Sequence, residues 1–298
     1  MLLAPTIDAL SRQDDGDAVG GVWVDTTFGR GGHSRALLAR LGPDARLIAF
    51  DKDTEALANA PKDKRLILVH NNFRFVHNFV KYNGFEKVDG ILADLGVSSH
   101  QFDTSTRGFS FRFDAPLDMR MNSLSKVNAA DIVNSYSCED LEKVLRIYGE
   151  VDNSRRAAEK ICAARETSSI RTTGELDKAL ESVLPKFQEH KYLAKVYQAL
   201  RIEVNREMDD LKGFMEGSIK SLRSGGRISV ITYHSLEDRI VKNYFKAGNV
   251  DGEVRRDLMG RGESPYELVH KKPVLPKEEE IAGNTRARSA KLRAAIRK

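Results

Sequence analysis

The sequence predicts an α/β protein, with a doubly wound parallel sheet interrupted by an inserted helical domain. Short apolar runs alternate with helix-like segments from residue 22 to residue 94, which is the pattern of successive β-α-β units. From about Phe102 to His190 the alternation stops and helical patterns take over, before another apolar run at 228–232 resumes it. We therefore expect a sheet domain formed by 1–101 and 191–298, and a helical domain at 102–190.

Four apolar runs in the first part of the chain predict strands, and each leads to an acidic or aromatic residue. Helix-like patterns at 34–41 and 53–60 follow the first two runs. The runs are 22–24 before Asp25, 47–50 before Asp51, 66–69 before Phe73 and 88–92 before Asp94.

Helix signals dominate the insertion and the return to the sheet. Capping-box patterns at 137–140 and 172–175 predict two helix starts. Apolar residues at spacings of three and four from Leu193 to Leu211 predict one long amphipathic helix. After the strand at 228–232 we expect a loop over 249–283, and then either a last strand or a frayed tail at 289–296.

The composition is that of a globular protein without a membrane segment. The chain has 298 residues, 41% hydrophobic and 31% charged, which suits one large core and an insertion. It shows neither a long apolar run nor a signal peptide, so we expect a cytoplasmic location and no membrane partner. Cys138 and Cys162 form neither a metal cluster nor a disulfide framework, so we expect structural thiols and no bound metal.

Positive charge is concentrated at the carboxyl terminus. The net charge is +5, but residues 284–298 hold six basic side chains and no acid, so the remainder sums to about −1. Such a segment could contact nucleic-acid phosphates or could be ordinary solvated surface, and the charge by itself favours neither interpretation.

A glycine turn follows the first predicted strand. Residues 25–33 contain Gly29, Gly31 and Gly32, and Asp51 lies 22 positions after Gly29, a spacing typical of an acid that binds ribose hydroxyls. These features fit dinucleotide enzymes and methyltransferases equally well. Four groups at successive strand ends favour S-adenosylmethionine: Asp25 for its cationic end, Asp51 for its ribose, Phe73 for its adenine, and Asp94. The alternative is that the acids cap helices and Phe73 is a core residue.

Six sequence stretches resemble the bacterial ribosomal RNA small subunit methyltransferase H family, also described as MraW-like. They are DTTFGRGGHS (25–34), DGILADLGVSS (89–99), RGFSFRFDAPLDMRM (107–121), QALRI (198–202), HSLEDRIVK (234–242) and RARSAKLR (286–293). The chain departs from the family pattern at 192–197 and at His100, so the resemblance does not carry substrate contacts over to these positions. It also lacks the first part of a family stretch before Met1, which suggests a shortened first helix, and Thr285 replaces a proline, which we expect to affect a turn more than the chemistry.

The resemblance implies a Rossmann-like methyltransferase sheet with an inserted substrate-recognition domain. It implies S-adenosylmethionine-dependent methylation of the N4 amine of a cytosine in the decoding region of 16S ribosomal RNA, within the small ribosomal subunit. The family's cofactor positions correspond to Gly31, Gly32, His33, Asp51, Phe73, Asp94 and Gln101.

Asp94 is also the candidate catalytic residue. The amine of cytosine is a poor nucleophile, so the site needs close positioning and an acceptor for the developing positive charge. Asp94 could supply that acceptor or could hold the cofactor. Methylation at the ring carbon C5 would instead require a cysteine nucleophile, and both cysteines lie in the insertion, far in sequence from the strand ends.

The remaining candidates concern the RNA. Phe109, Phe111 and Phe113, flanked by arginines, would form a base-stacking platform if the segment were extended, or else an apolar flap packed on the insertion. His234 could line the target pocket, whereas the acids after it suit a helix start. The competing functions are a nicotinamide-dependent oxidoreductase and a noncatalytic RNA-binding assembly factor.

Overall fold

The central feature of the computed structural model is a seven-stranded sheet, and residues 1–11, 19–96, 107–256 and 262–298 are described. Its strands follow the order β3-β2-β1-β4-β5-β7-β6, and β7 runs antiparallel to both of its neighbours. The α/β prediction is confirmed. The strands are β1 Val22–Asp25, β2 Arg46–Asp51, β3 Leu66–His70, β4 Val88–Asp94, β5 Leu222–Thr232, β6 Tyr266–Leu268 and β7 Lys291–Arg297.

Helices account for most of the remaining regular structure. They are α1 Leu3–Leu10, α2 Gly32–Leu38, α3 Thr54–Leu57, α4 Val76–Tyr82, α5 Ala129–Ser135, α6 Cys138–Gly149, α7 Ser154–Thr167, α8 Thr173–Leu180, α9 Glu189–Asn205, α10 Glu207–Ser221, α11 Ser235–Ala247 and α12 Glu278–Gly283. Short 3₁₀ helices lie at Phe73–Phe75, Glu181–Val183 and Thr285–Ser289.

The central strands are apolar because both faces of the sheet are covered. Ile48 and Phe50 on β2 and Ile91 and Leu92 on β4 are fully buried. The chain order reverses between β1 and β4, since β2 and β3 lie on one side of β1, and β4 and β5 lie on the other. In an open parallel sheet this reversal opens a crevice at the carboxyl ends of the strands, where ligands bind.

Two compact units divide the chain: Met1–Gly96 with Met208–Lys298, and Val97–Glu207. The second unit is helical, and its core includes Ile161 and Leu200. The predicted capping residues Ser137 and Thr172 accept hydrogen bonds at the starts of α6 and α8, as expected.

The prediction of one long helix over 193–211 was wrong in one respect. The chain breaks at Arg206, whose φ of 50° lies in the left-handed region, so that α9 and α10 are separate helices. α9 contributes Val196 and Leu200 to the core of the helical unit. For this reason the helical unit ends at Glu207, whereas the sequence suggested a boundary at 190.

The end of the chain is more regular than the sequence suggested. The region 249–283, expected to be a loop, contains β6 and α12, whereas the last strand is confirmed as β7. β7 forms because it pairs antiparallel with β5 and buries Leu292 and Ala295. Its Arg293 donates to Asp238 at 2.7 Å, so this part of the basic terminus is an ion-paired strand.

The prediction of two free thiols was wrong, because Cys138 and Cys162 form a disulfide. The cysteines are 24 residues apart, but the packing of α6 against α7 brings their Cα atoms to 6.2 Å. Sequence spacing could not reveal this pairing. Within the described residues, no helix combines the length and apolar character needed to cross a membrane.

Candidate active site

Three carboxylates lie at the carboxyl ends of neighbouring parallel strands. Asp25, Asp51 and Asp94 are the last residues of β1, β2 and β4. Because β2, β1 and β4 are adjacent and parallel, the three residues share one edge of the sheet. The crevice predicted at the strand ends is therefore acidic.

Asp25 does not face a ligand, contrary to the expectation that it meets the cationic end of the cofactor. Its side chain is buried, with Oδ2 accepting from the hydroxyl of Ser34 at 2.6 Å and Oδ1 accepting from the backbone N–H of Thr27 at 3.1 Å. Burial raises the pKa of Asp25, although these hydrogen bonds oppose the shift. Asp25 therefore ties the start of the glycine turn to α2.

The glycine turn depends on backbone conformations that side chains disfavour. Gly29 and Gly31 have φ values of 53° and 74°, and a Cβ at Gly31 would lie 2.7 Å from the ring of Phe28. At Gly32, the first residue of α2, no atom of the described residues beyond its chain neighbours and its own helix backbone lies within 4 Å of the Cβ position. The turn thus leaves open space beside its backbone at Gly32.

Asp51 is held in a fixed orientation by two backbone donors. Its Oδ2 accepts from the N–H of Gly29 at 2.8 Å, and its Oδ1 accepts from the N–H of Asp53 at 2.9 Å. Burial raises the pKa of Asp51. Each oxygen keeps a second lone pair, so the carboxylate can still accept from a pair of hydroxyls.

Phe73 begins a 3₁₀ helix after β3, and its ring is only partly buried. Its ring packs edge-to-face with Phe214 at 5.5 Å between centroids, so the alternative that Phe73 is a core residue is partly correct.

An ion pair lies beside this ring. The ammonium of Lys52 lies 5.4 Å from the ring centroid of Phe73 and pairs with the buried Asp210, which also lies 3.5 Å from Arg74. Sequence reasoning missed this ion pair, because its partners are 158 residues apart.

Asp94 and His33 lie close together at the strand ends. Nδ1 of His33 lies 3.7 Å from Oδ2 of Asp94, and burial lowers the pKa of His33, which favours its neutral form. Oδ1 of Asp94 accepts from the hydroxyl of Tyr233 at 2.6 Å. Burial raises the pKa of Asp94 to about 6. Asp94 is therefore a carboxylate at neutral pH that takes up a proton under mildly acidic conditions.

Two other candidates have different outcomes. His234 precedes α11, and its Nδ1 accepts from the backbone N–H of Glu237 at 3.5 Å, so it caps the helix. The acids Glu237 and Asp238 occupy the first turn, as a helix start requires. Gln101 lies outside the described residues.

The aromatic segment of the helical unit does not form a single platform. Phe109 is buried in the core, and Phe111 packs edge-on against Tyr197 at 5.5 Å and stacks on His190 at 5.8 Å. Phe113 is 62% exposed. The apolar-flap alternative is thus correct for two rings, and only Phe113 remains widely available for stacking.

The site chemistry favours a ligand with hydroxyls and positive charge. Asp51 offers fixed acceptors, Asp94 offers negative charge, and Gly32 leaves space beside the backbone. A carboxylate-lined edge repels phosphate groups, whereas it stabilises an ammonium or sulfonium.

The sequence model of the MraW methylase family matches residues 1–298. Ribosomal RNA small subunit methyltransferase H of Flavobacterium johnsoniae is 52% identical over 99% of this chain and 96% of that protein. The proteins of the same name from Flavobacterium psychrophilum and Bacteroides fragilis strain YCH46 are 50% and 49% identical, with 100% of this chain covered and 100% and 96% of theirs. A solved rRNA methylase from Streptococcus thermophilus, 11% identical, aligns with a TM-score of 0.42 over 98% of this chain and 91% of that chain.

Proposed function

The chain belongs to the MraW methylase family, with S-adenosylmethionine as methyl donor, and from this premise we propose that it methylates N4 of a cytosine in the decoding region of 16S ribosomal RNA. The observation that carries the proposal is that two carboxylates with different surroundings lie on one edge of the sheet. Asp51 is fixed by backbone donors and can accept from ribose hydroxyls, and Asp94 is an ionisable carboxylate. We propose that the substrate is met within the small ribosomal subunit, in the cytoplasm.

The side chains at the strand ends fit the chemical groups of the cofactor. Asp51 has acceptor capacity left for both ribose hydroxyls, and the partly buried ring of Phe73 offers apolar surface for the adenine. The negative charge of Asp94 suits the cationic part of the molecule. We propose that Gly31, Gly32, His33, Asp51, Phe73 and Asp94 hold the cofactor, together with Gln101, which lies outside the described residues.

Bound S-adenosylmethionine supplies a methyl group activated by the positive sulfur. The protein's own residues must then bring the amine into line and stabilise the charge that develops on its nitrogen. Asp94 can accept a hydrogen bond from the amine, because burial raises its pKa only to about 6 and it is ionised at neutral pH. As the N–C bond forms and the S–C bond breaks, the amine loses a proton, which Asp94 can take up and pass to water.

The state of the cysteines supports an exocyclic amine as the target. Methylation of the ring carbon would require a thiolate that adds to the pyrimidine. The chain has two cysteines, and both are joined in the disulfide of the helical unit. Neither is a free nucleophile in this structure.

The test is mass mapping of 16S ribosomal RNA from cells that lack the protein, followed by chromatography of the modified nucleoside against N4-methylcytidine and 5-methylcytidine, which have the same mass. We expect loss of one methyl group from the N4 amine of a cytosine, restored by the wild type and not by Asp94→Asn. Asp209→Asn is the matched control, because Asp209 is an exposed carboxylate on α10 that pairs only loosely with Lys212, and it should restore the methyl group. An unchanged methyl pattern, or a loss at a ring carbon, would contradict the proposal.

The two competing functions make different predictions. A nicotinamide-dependent enzyme would bind NAD in calorimetry and show no affinity for S-adenosylmethionine. If the protein were a noncatalytic assembly factor, the Asp94→Asn variant would support ribosome assembly as well as the wild type does. Deletion of the protein would then leave the methyl pattern of the ribosomal RNA unchanged.

A further inference from the structure

We propose that Tyr233 is a positioning residue, whose hydroxyl holds one oxygen of Asp94 so that the other oxygen faces the ligand. This inference deepens the proposed function and rests on it. Tyr233 follows β5, two residues beyond Ile231, the partner of Asp94 in the parallel pair of β4 and β5. The strand pairing therefore brings the tyrosine next to the carboxylate, although 139 residues separate them in sequence.

The tyrosine is fixed at its backbone and its ring as well as at its hydroxyl. Its N–H donates to the buried Oε2 of Glu237 at 2.8 Å. Its ring packs over Gly96, where an added Cβ would lie 3.3 Å from Cδ2 and where φ is 88°. Gly96 carries no side chain that could separate Tyr233 from Asp94.

The two oxygens of Asp94 have different surroundings. Oδ1 accepts from Tyr233 at 2.6 Å, whereas Oδ2 lies 3.7 Å from Nδ1 of His33, beyond hydrogen-bond distance. The backbone N–H of Asp94 donates to the hydroxyl of Thr27 at 2.6 Å, which fixes the main chain at this point. The side chain of Asp94 is 22% exposed, so it is not sealed within the core.

The hydrogen bond also affects the charge of Asp94. It favours the carboxylate and so opposes the effect of burial, which raises the pKa to about 6. The tyrosine remains a donor, because burial and the adjacent carboxylate raise its own pKa. The other charged or titratable groups that act on Asp94 or on its neighbour His33 are Asp25, His33, Glu237, Glu280 and the terminal amine of Met1.

The experiment measures the dissociation constant of S-adenosylmethionine by calorimetry between pH 5 and pH 8.5, for the wild type and for Tyr233→Phe. Loss of the hydroxyl should raise the pKa of Asp94, because it removes a hydrogen bond that favours the carboxylate. The ratio of the two constants should then rise from near one at the alkaline end to about tenfold at the acidic end. The ratio removes the titration of the ligand itself, which is common to both proteins.

Tyr244→Phe is the matched control. Tyr244 is another buried tyrosine of the sheet unit, and its hydroxyl lies 3.4 Å from a carboxylate oxygen of Glu216. The ratio of the dissociation constant of Tyr244→Phe to that of the wild type should not change with pH. A pH-independent ratio for Tyr233→Phe as well would overturn the positioning role. If the wild type did not bind S-adenosylmethionine at all, the proposed function itself would fail, so the two failures are distinguishable.

A second measurement does not depend on the folding of a variant. In wild-type protein, the hydroxyl proton of Tyr233 should give a slowly exchanging NMR resonance. Its chemical shift should follow the titration of Asp94 near pH 6. A resonance that is absent, or that does not change over this range, would contradict the proposal.

Discussion

The strand-end site of the sheet unit and the aromatic segment at 107–121 in the helical unit show how differently two motif-rich regions turn their sequence into structure. At the strand ends, parallel pairing alone places Asp51 and Asp94 on one edge. In the aromatic segment, three alternating phenylalanines would share one face only if the backbone were extended. Instead the backbone turns at 111–113, and the rings differ in burial. Topology therefore predicts position better than a short alternation does.

The largest expected effect is on stability, and it tests the difference between the buried and the exposed phenylalanine of the aromatic segment. Phe109→Ala removes a ring that is 6% exposed and should lower the free energy of unfolding by about 3 to 5 kcal/mol. Phe113→Ala removes a ring that is 62% exposed and should change it by less than about 0.5 kcal/mol. Urea unfolding of both variants measures the difference. Equal destabilisation would mean that the segment packs as one element and that the comparison drawn above does not hold.

Asp94→Asn tests the chemistry at the strand ends. The substitution keeps an acceptor for Tyr233 but removes the negative charge near the developing positive charge. We expect the single-turnover rate at saturating cofactor to fall by about 10² to 10³-fold. Cofactor affinity should weaken too, because we propose that Asp94 also holds the cationic part of the cofactor. Wild-type affinity combined with a wild-type rate would remove Asp94 from the active site.

Asp51→Ala tests the cofactor side of the same edge. Loss of the acceptor should weaken binding of S-adenosylmethionine by about 1.5 to 3 kcal/mol, as for a charge-assisted hydrogen bond. The matched control is Asp53→Ala, which removes a nearby carboxylate that caps α3 through the N–H of Glu55. Calorimetry on both variants separates the ribose assignment from general loosening of the loop. Unchanged affinity in folded Asp51→Ala protein would disprove that assignment.

The smallest effect distinguishes the two ligands by their dependence on salt. RNA binding should weaken by about threefold for each phosphate contact between 50 and 200 mM salt, whereas cofactor binding should change little. We expect a shallow slope, because Lys291 and Arg293 lie near Asp238 and Arg297 donates to the carbonyl of Pro265. Filter binding at several salt concentrations measures the slope. An RNA affinity that does not change with salt would exclude phosphate contacts.

The sequence by itself determined the α/β class, the strand ends and the helix starts, because hydrophobic periodicity and capping residues act over a few neighbouring positions. The family resemblance added the cofactor, and its proposed residues Asp51 and Asp94 do lie on one sheet edge.

Only the tertiary structure decided the contacts between distant parts of the chain. The disulfide of Cys138 and Cys162 depends on the packing of α6 against α7, and the break at Arg206 depends on the core that α9 joins. The hydrogen bond from Tyr233 to Asp94 depends on the pairing of β4 with β5. No local pattern encodes such pairs, because the partners meet only when the whole chain has folded.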